Sequence, residues 1–113
     1  MQVFDPQLYF ESLYTDIDGT KISVNYRKLN RISNTSLVYG EVNYTIIHDI
    51  LSRITIPKDA IFYDLGSGIG KAIIAVYLGH FKFKQYNGIE IIDDLYAMSQ
   101  YIKYQLVENK FNL

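Results

Sequence analysis

The segment Phe62-Tyr63-Asp64-Leu65-Gly66-Ser67-Gly68-Ile69-Gly70-Lys71 constrains the fold more than any other part of the chain. Ile61-Phe62-Tyr63 is apolar and β-favouring, and Asp64 closes it. Gly66, Gly68 and Gly70 permit a sharp turn and a close backbone approach, because no Cβ stands in the way. From Lys71 the run Ala72 to Leu78 is apolar and long enough for a short buried helix. The free N–H groups of its first turn face the loop, as they do where a helix N-terminus meets a nucleotide-like ligand. A strand, a glycine turn and a helix in this order predict an α/β unit with a nucleotide cofactor at the turn. The plain alternative is a tight turn without a ligand.

The spacing separates two kinds of nucleotide site. The dinucleotide fingerprint is G-x-G-x-x-G. Here the third glycine comes one residue early, and Lys71 stands where that pattern has glycine. A nicotinamide-dependent oxidoreductase is the weaker reading for this reason. Asp64 lies two residues before the first glycine, and Asn87-Gly88-Ile89-Glu90 ends the next apolar run. Glu90 falls where a carboxylate takes the two ribose hydroxyls, since it accepts two hydrogen bonds from a vicinal diol. The pattern acidic-x-Gly-x-Gly-x-Gly resembles motif I of class I S-adenosylmethionine-dependent methyltransferases.

Tyr39-Gly40-Glu41 precedes an amphipathic helical segment, Val42 to Arg53. The order Tyr-Gly-Glu, helix, Asp-Leu-Gly-Ser-Gly-Ile-Gly, Gly-Ile-Glu resembles the non-SET histone lysine methyltransferase family known as disruptor of telomeric silencing. The resemblance covers Tyr39 to Glu90. It implies that Tyr39, Gly40 and Glu41 fold over the methionine end of S-adenosyl-L-methionine, with Glu41 on its ammonium. It implies that Asp64, Leu65, Gly66, Ser67, Gly68, Ile69, Gly70 and Lys71 hold the cofactor's centre, and that Glu90 binds its ribose. It supplies no general base, no other catalytic residue and no metal ligand. Two positions depart from the family. Val42 replaces a threonine, which removes a hydroxyl contact. Lys71 replaces a common glutamine and brings a positive charge towards a sulfonium cofactor, a charge that pairing with Asp64 or Glu90 would neutralise. The family's nucleosome-binding basic tract is absent.

At 113 residues the chain suffices for one small domain. The expected architecture is a partial Rossmann-like α/β fold of two parallel strands, near Ile61 to Asp64 and Tyr86 to Glu90, with flanking helices. Residues 39–113 form this part, and residues 1–38 an N-terminal extension. A long helix is expected over Asp93 to Val107, with Leu95, Met98, Ile102 and Leu106 on its apolar face and Asp93 and Asp94 capping its start. No further strand is visible, so both sheet edges lie open, an invitation to association. Two functional classes follow: a methyltransferase or its cofactor-binding half, with a second chain completing the fold, or a non-catalytic interaction module. The acceptor of a methyl group, whether protein lysine, RNA or a small molecule, is left open.

The N-terminal third is harder to read. Pro6 to Leu13 suits a short helix. Asp18-Gly19 is a tight-turn signal, and Leu13-Tyr14-Thr15 and Lys21 to Val24 suit a hairpin across it. Arg27, Lys28 and Arg31 read as a solvated basic face, and Ser33 to Ser36 as a polar linker. In the segment after Glu41, Ile46, Ile47, Ile50, Leu51 and Ile54 mark a core face, while His48 and Asp49 point away from it. Phe81, Lys82, Phe83 and Lys84 read as a loop entering the second strand.

Net charge is −1, from 11 basic and 12 acidic residues, so nothing global points to nucleic acid. No cysteine is present to form a disulfide or hold a metal. The start Met1 to Pro6 lacks a signal-peptide pattern. No apolar run approaches the ~20 residues needed to span a bilayer. The expectation is a soluble cytoplasmic protein, with a nuclear location open for a eukaryote.

Overall fold

The computed structural model describes residues 4–33 and 39–109. These residues form five helices and two strands: α1 (Pro6–Leu13), α2 (Gly19–Leu29), α3 (Tyr44–Ser52), β1 (Ile61–Leu65), α4 (Lys71–Leu78), β2 (Gln85–Ile89) and α5 (Asp93–Glu108). The expected polar linker falls mostly on residues 34–36, outside the described residues.

Helix starts follow from local hydrogen bonding. Asp5 accepts from the N–H of Gln7 at 3.0 Å and of Leu8 at 3.2 Å, and Pro6 opens α1 without an N–H to satisfy. Asn43 caps α3 by accepting from Ile46 N–H at 2.8 Å. The hairpin expected across Asp18-Gly19 does not form. Asp18 instead caps α2, its carboxylate accepting from Lys21 N–H at 3.0 Å. The same Asp side chain serves a turn or a cap, and here the helix takes it.

The strands pair in parallel, with Ile61 beside Gln85 and Leu65 beside Ile89. Helix α4 is the crossover between them. It covers the face carrying Phe62, Tyr86 and Gly88: Tyr86 meets Tyr77 edge-on at 5.3 Å, and a Cβ on Gly88 would collide with Ile73. The other face, with Ile61, Tyr63, Leu65 and Ile89, is exposed. The partial Rossmann-like α/β arrangement is therefore as expected, with one sheet face open.

The core lies between α4, α5 and the N-terminal helices. Ile69, Leu95, Ile102 and Leu106 are fully buried in it, and Met98 packs against this cluster; Val76 of α4 is fully buried as well. Asp93 and Asp94 lie in the first turn of α5, where the helix dipole favours them, but neither caps it; the N-cap is Ile92, with no side-chain bond.

Helix α3 turns a different face inward from the one expected. Ile46, Ile50 and Ile54 are exposed, whereas Ile47 packs on the core and Tyr44 is buried. His48 points inward. Its Nε2–H donates to Ala75 O at 2.9 Å, and its ring stacks on Tyr44 at 4.0 Å. Gly79 ends α4 against this ring, where a Cβ would sit 2.5 Å from His48 Cε1. Asp49 does face solvent, paired with Arg53 at 3.2 Å.

Candidate functional site

The glycine loop leaves β1 at the carboxyl end of the sheet. The N–H groups of Gly66 and Ser67 both donate to Ile89 O, at 2.7 and 2.9 Å, which ties the loop to β2. Gly66, Gly68 and Gly70 have φ of 84°, 56° and 88°, a left-handed conformation that side chains disfavour. Gly70 then caps α4 in that conformation.

Glu90 is held by the backbone. Its Oε1 accepts from Gly68 N–H at 2.7 Å and its Oε2 from Ile92 N–H at 2.8 Å. Both oxygens are fixed in place, and each keeps a further lone pair for a donor from outside. Asp64, at the end of β1, is half-buried. Burial first, and the nearby Glu90 charge second, raise its carboxyl above the usual carboxylate range.

Tyr39 and Glu41 fold down on this loop. The Tyr39 ring lies against Gly68, where a Cβ would stand 2.7 Å from Tyr39 Cε1. The Tyr39 hydroxyl donates to Glu41 Oε2, and Lys71 Nζ donates to Glu41 Oε1 at 2.8 Å. Burial first, and the Glu41 carboxylate second, push the Tyr39 phenol well above its ordinary range, so it stays a donor. Lys71 is thus neutralised by Glu41, not by Asp64 or Glu90.

These groups enclose a cavity of about 350 Å³, lined by Tyr39, Gly40, Glu41, Val42, Asp64, Gly66, Ser67, Lys71 and Ala72. Gly68 and Glu90 do not line it; they join each other through the Gly68 N–H donated to the Glu90 carboxylate. Leu65 stands apart, its side chain on the open sheet face, and Ile69 is buried in the core. Those two contribute backbone and packing. A larger cavity, about 680 Å³, lies at the opposite end of the strands among Pro57 to Asp59 and His80 to Lys84. Among the described residues no backbone donor holds a carboxylate there, and Phe81 and Phe83 turn inward onto His48 and Phe62.

Two residues at the site, read in the sequence only as parts of a hairpin, gave no sign of a place in it. The Tyr14 hydroxyl donates to Ile69 O inside the glycine loop at 3.2 Å, and its ring lies 5.3 Å from Lys71 Nζ. Gly19 abuts the Tyr39 hydroxyl and Glu41. Only the packing of α1 and α2 brings them here.

The fold and loop define a Rossmann-like unit with a polar cleft at the carboxyl ends of parallel strands, where such sheets bind ligands. The model of the histone methylation protein DOT1 family matches residues 19–112. The chain belongs to that family, as the Tyr39-to-Glu90 pattern led us to expect. It is 39% identical over 56 residues to a histone-lysine N-methyltransferase, H3 lysine-79 specific, of Drosophila melanogaster; the aligned stretch is 50% of this chain and 3% of that relative. The chain thus spans only a small part of the relative's length. No solved structure matches.

Proposed function

We propose that this chain carries the S-adenosyl-L-methionine site of a protein-lysine methyltransferase. One observation carries the proposal: two carboxylates, Glu41 and Glu90, are brought to one glycine loop and the start of its helix and held there by named donors. Glu90 takes the ribose hydroxyls with the lone pairs its backbone donors leave free. Glu41 takes the methionine ammonium, exchanging it for Lys71. Tyr39, Gly40, Asp64, Gly66, Ser67 and Gly70 form the walls, and Leu65 and Ile69 anchor the loop's two ends.

The residues fit a cationic nucleoside ligand. Glu41 and Asp64 line the cavity, Glu90 is held against the Gly68 N–H of the same loop, and Lys71 offsets the charge of Glu41. The bound cofactor would supply a methyl group on a sulfonium for in-line transfer to a neutral amine. The chain's own contribution is proximity, alignment and exclusion of water by the Tyr39 ring. The relative's name supports a lysine as the acceptor. The exposed face of Ile61, Tyr63, Leu65 and Ile89 supports a covering layer contributed by another polypeptide segment.

Calorimetric titration tests the site. S-adenosylmethionine is expected to bind saturably, with NAD not binding and with affinity lost in Glu90→Ala. A folded protein that takes neither ligand, or that prefers NAD, refutes the proposal.

A further inference from the structure

Tyr14 lies upstream of the stretch that the family model matches, residues 19–112, yet it makes the buried contact with the glycine loop. It is 6% exposed at the C-terminal end of α1, wedged beside Phe10 at 5.2 Å. Its hydroxyl reaches Ile69 O, between two of the left-handed glycines. Its ring lies near the ammonium of Lys71, the residue that holds Glu41. A few residues on, Gly19 begins α2 with its Cα facing the loop: a Cβ there would stand 2.5 Å from the Tyr39 hydroxyl and 2.8 Å from Glu41 Oε2. One turn of chain therefore touches both walls of the cavity.

We propose that the α1–α2 junction buttresses the ligand site from behind its walls, with Tyr14 positioning the glycine loop and Lys71, and Gly19 setting where Tyr39 and Glu41 rest. The inference rests on the S-adenosylmethionine site proposed above. Tyr14 acts through Ile69 and Lys71, and Gly19 through Tyr39 and Glu41; neither touches the ligand. Gly19 has a backbone conformation open to any residue, and alanine is the better helix former. A methyl group there reduces the freedom of the unfolded chain while pushing the ends of the Tyr39 and Glu41 side chains out of place.

The test measures S-adenosylmethionine affinity and thermal unfolding for the wild type, Tyr14→Phe and Gly19→Ala, at a temperature where all are folded. Tyr14→Phe removes only the hydroxyl and is expected to weaken binding roughly fivefold, the worth of one hydrogen bond. Gly19→Ala is expected to weaken binding by a similar factor, roughly fivefold, with an unfolding temperature equal to or above wild type. A merely structural role lowers stability and affinity together and does not give that split. If the wild type binds and both variants bind equally well, the positioning role is refuted and the site stands. If the wild type does not bind, the site itself fails and this role in it falls too.

Discussion

The two ends of the parallel strands differ in a way that cavity size does not show. The amino end has the larger hollow, lined by loop backbone, lysine side chains in solvent and aromatic rings committed to the core. The carboxyl end has about half that volume, yet its charged groups are fixed: Glu90 by two backbone N–H groups, Glu41 by Tyr39 and Lys71. Polar groups ordered before a ligand arrives are what the proposed ligand site at the carboxyl end rests on.

The largest effect expected at the carboxyl end comes from Gly68→Arg. The left-handed φ of 56° costs a side chain about 1–2 kcal/mol. The new chain also meets the Tyr39 ring. Titration should detect no S-adenosylmethionine binding. Retained affinity would show that the loop and Tyr39 do not form the site.

Glu90→Ala comes next. It removes the acceptor of two part-buried N–H groups and the proposed ribose ligand. An affinity loss of roughly thirtyfold or more is expected from hydrogen bonds to a charged group. A loss of twofold or less in calorimetry would move the ribose elsewhere.

Asp64→Asn gives a smaller effect, with opposite signs for stability and binding. The folded-state carboxyl is raised by burial and by Glu90, so the native state holds its proton more tightly than the unfolded chain does. Stability is then lost as pH rises from the unfolded value through the folded one, and the charged Asp64 destabilises the free protein at neutral pH. The Asn variant should melt higher than wild type at pH 7, with the gap closing as the pH falls into the acid range. Its affinity for a cationic ligand should fall. A lower melting temperature at pH 7 would contradict the assigned burial effect.

The smallest effect belongs to the amino end. Lys82→Ala should leave S-adenosylmethionine affinity within about twofold and stability within about 0.5 kcal/mol, as for an ordinary surface change. A large loss of binding would erase the distinction between the two ends.

How much of this was legible in the sequence varied with how many local signals agreed. From Ile61 to Leu106 they coincide: strand residues, glycines with positive φ, a helical apolar face and an acidic strand end. The elements there match the expectation almost residue for residue. At Asp18-Gly19 one signal served two structures, and the hairpin reading lost to a helix cap. In α3, isoleucines on several sides leave the inward face undetermined by periodicity. The notch at Gly79 and the Ala75 carbonyl select His48 instead, a tertiary choice that the sequence of α3 does not contain. The candidate loop residues were readable because backbone chemistry demands them. Tyr14 was not, because its role depends on how a distant helix packs.

The most direct test is backbone hydrogen exchange with and without S-adenosylmethionine. Ligand-induced protection is expected for the amides from Gly66 to Gly70 and around Gly40 to Val42, with the Pro57-to-Asp59 and His80-to-Lys84 loops unchanged. Unchanged exchange in the glycine loop at saturating ligand, or protection confined to the amino end, would contradict the proposed site.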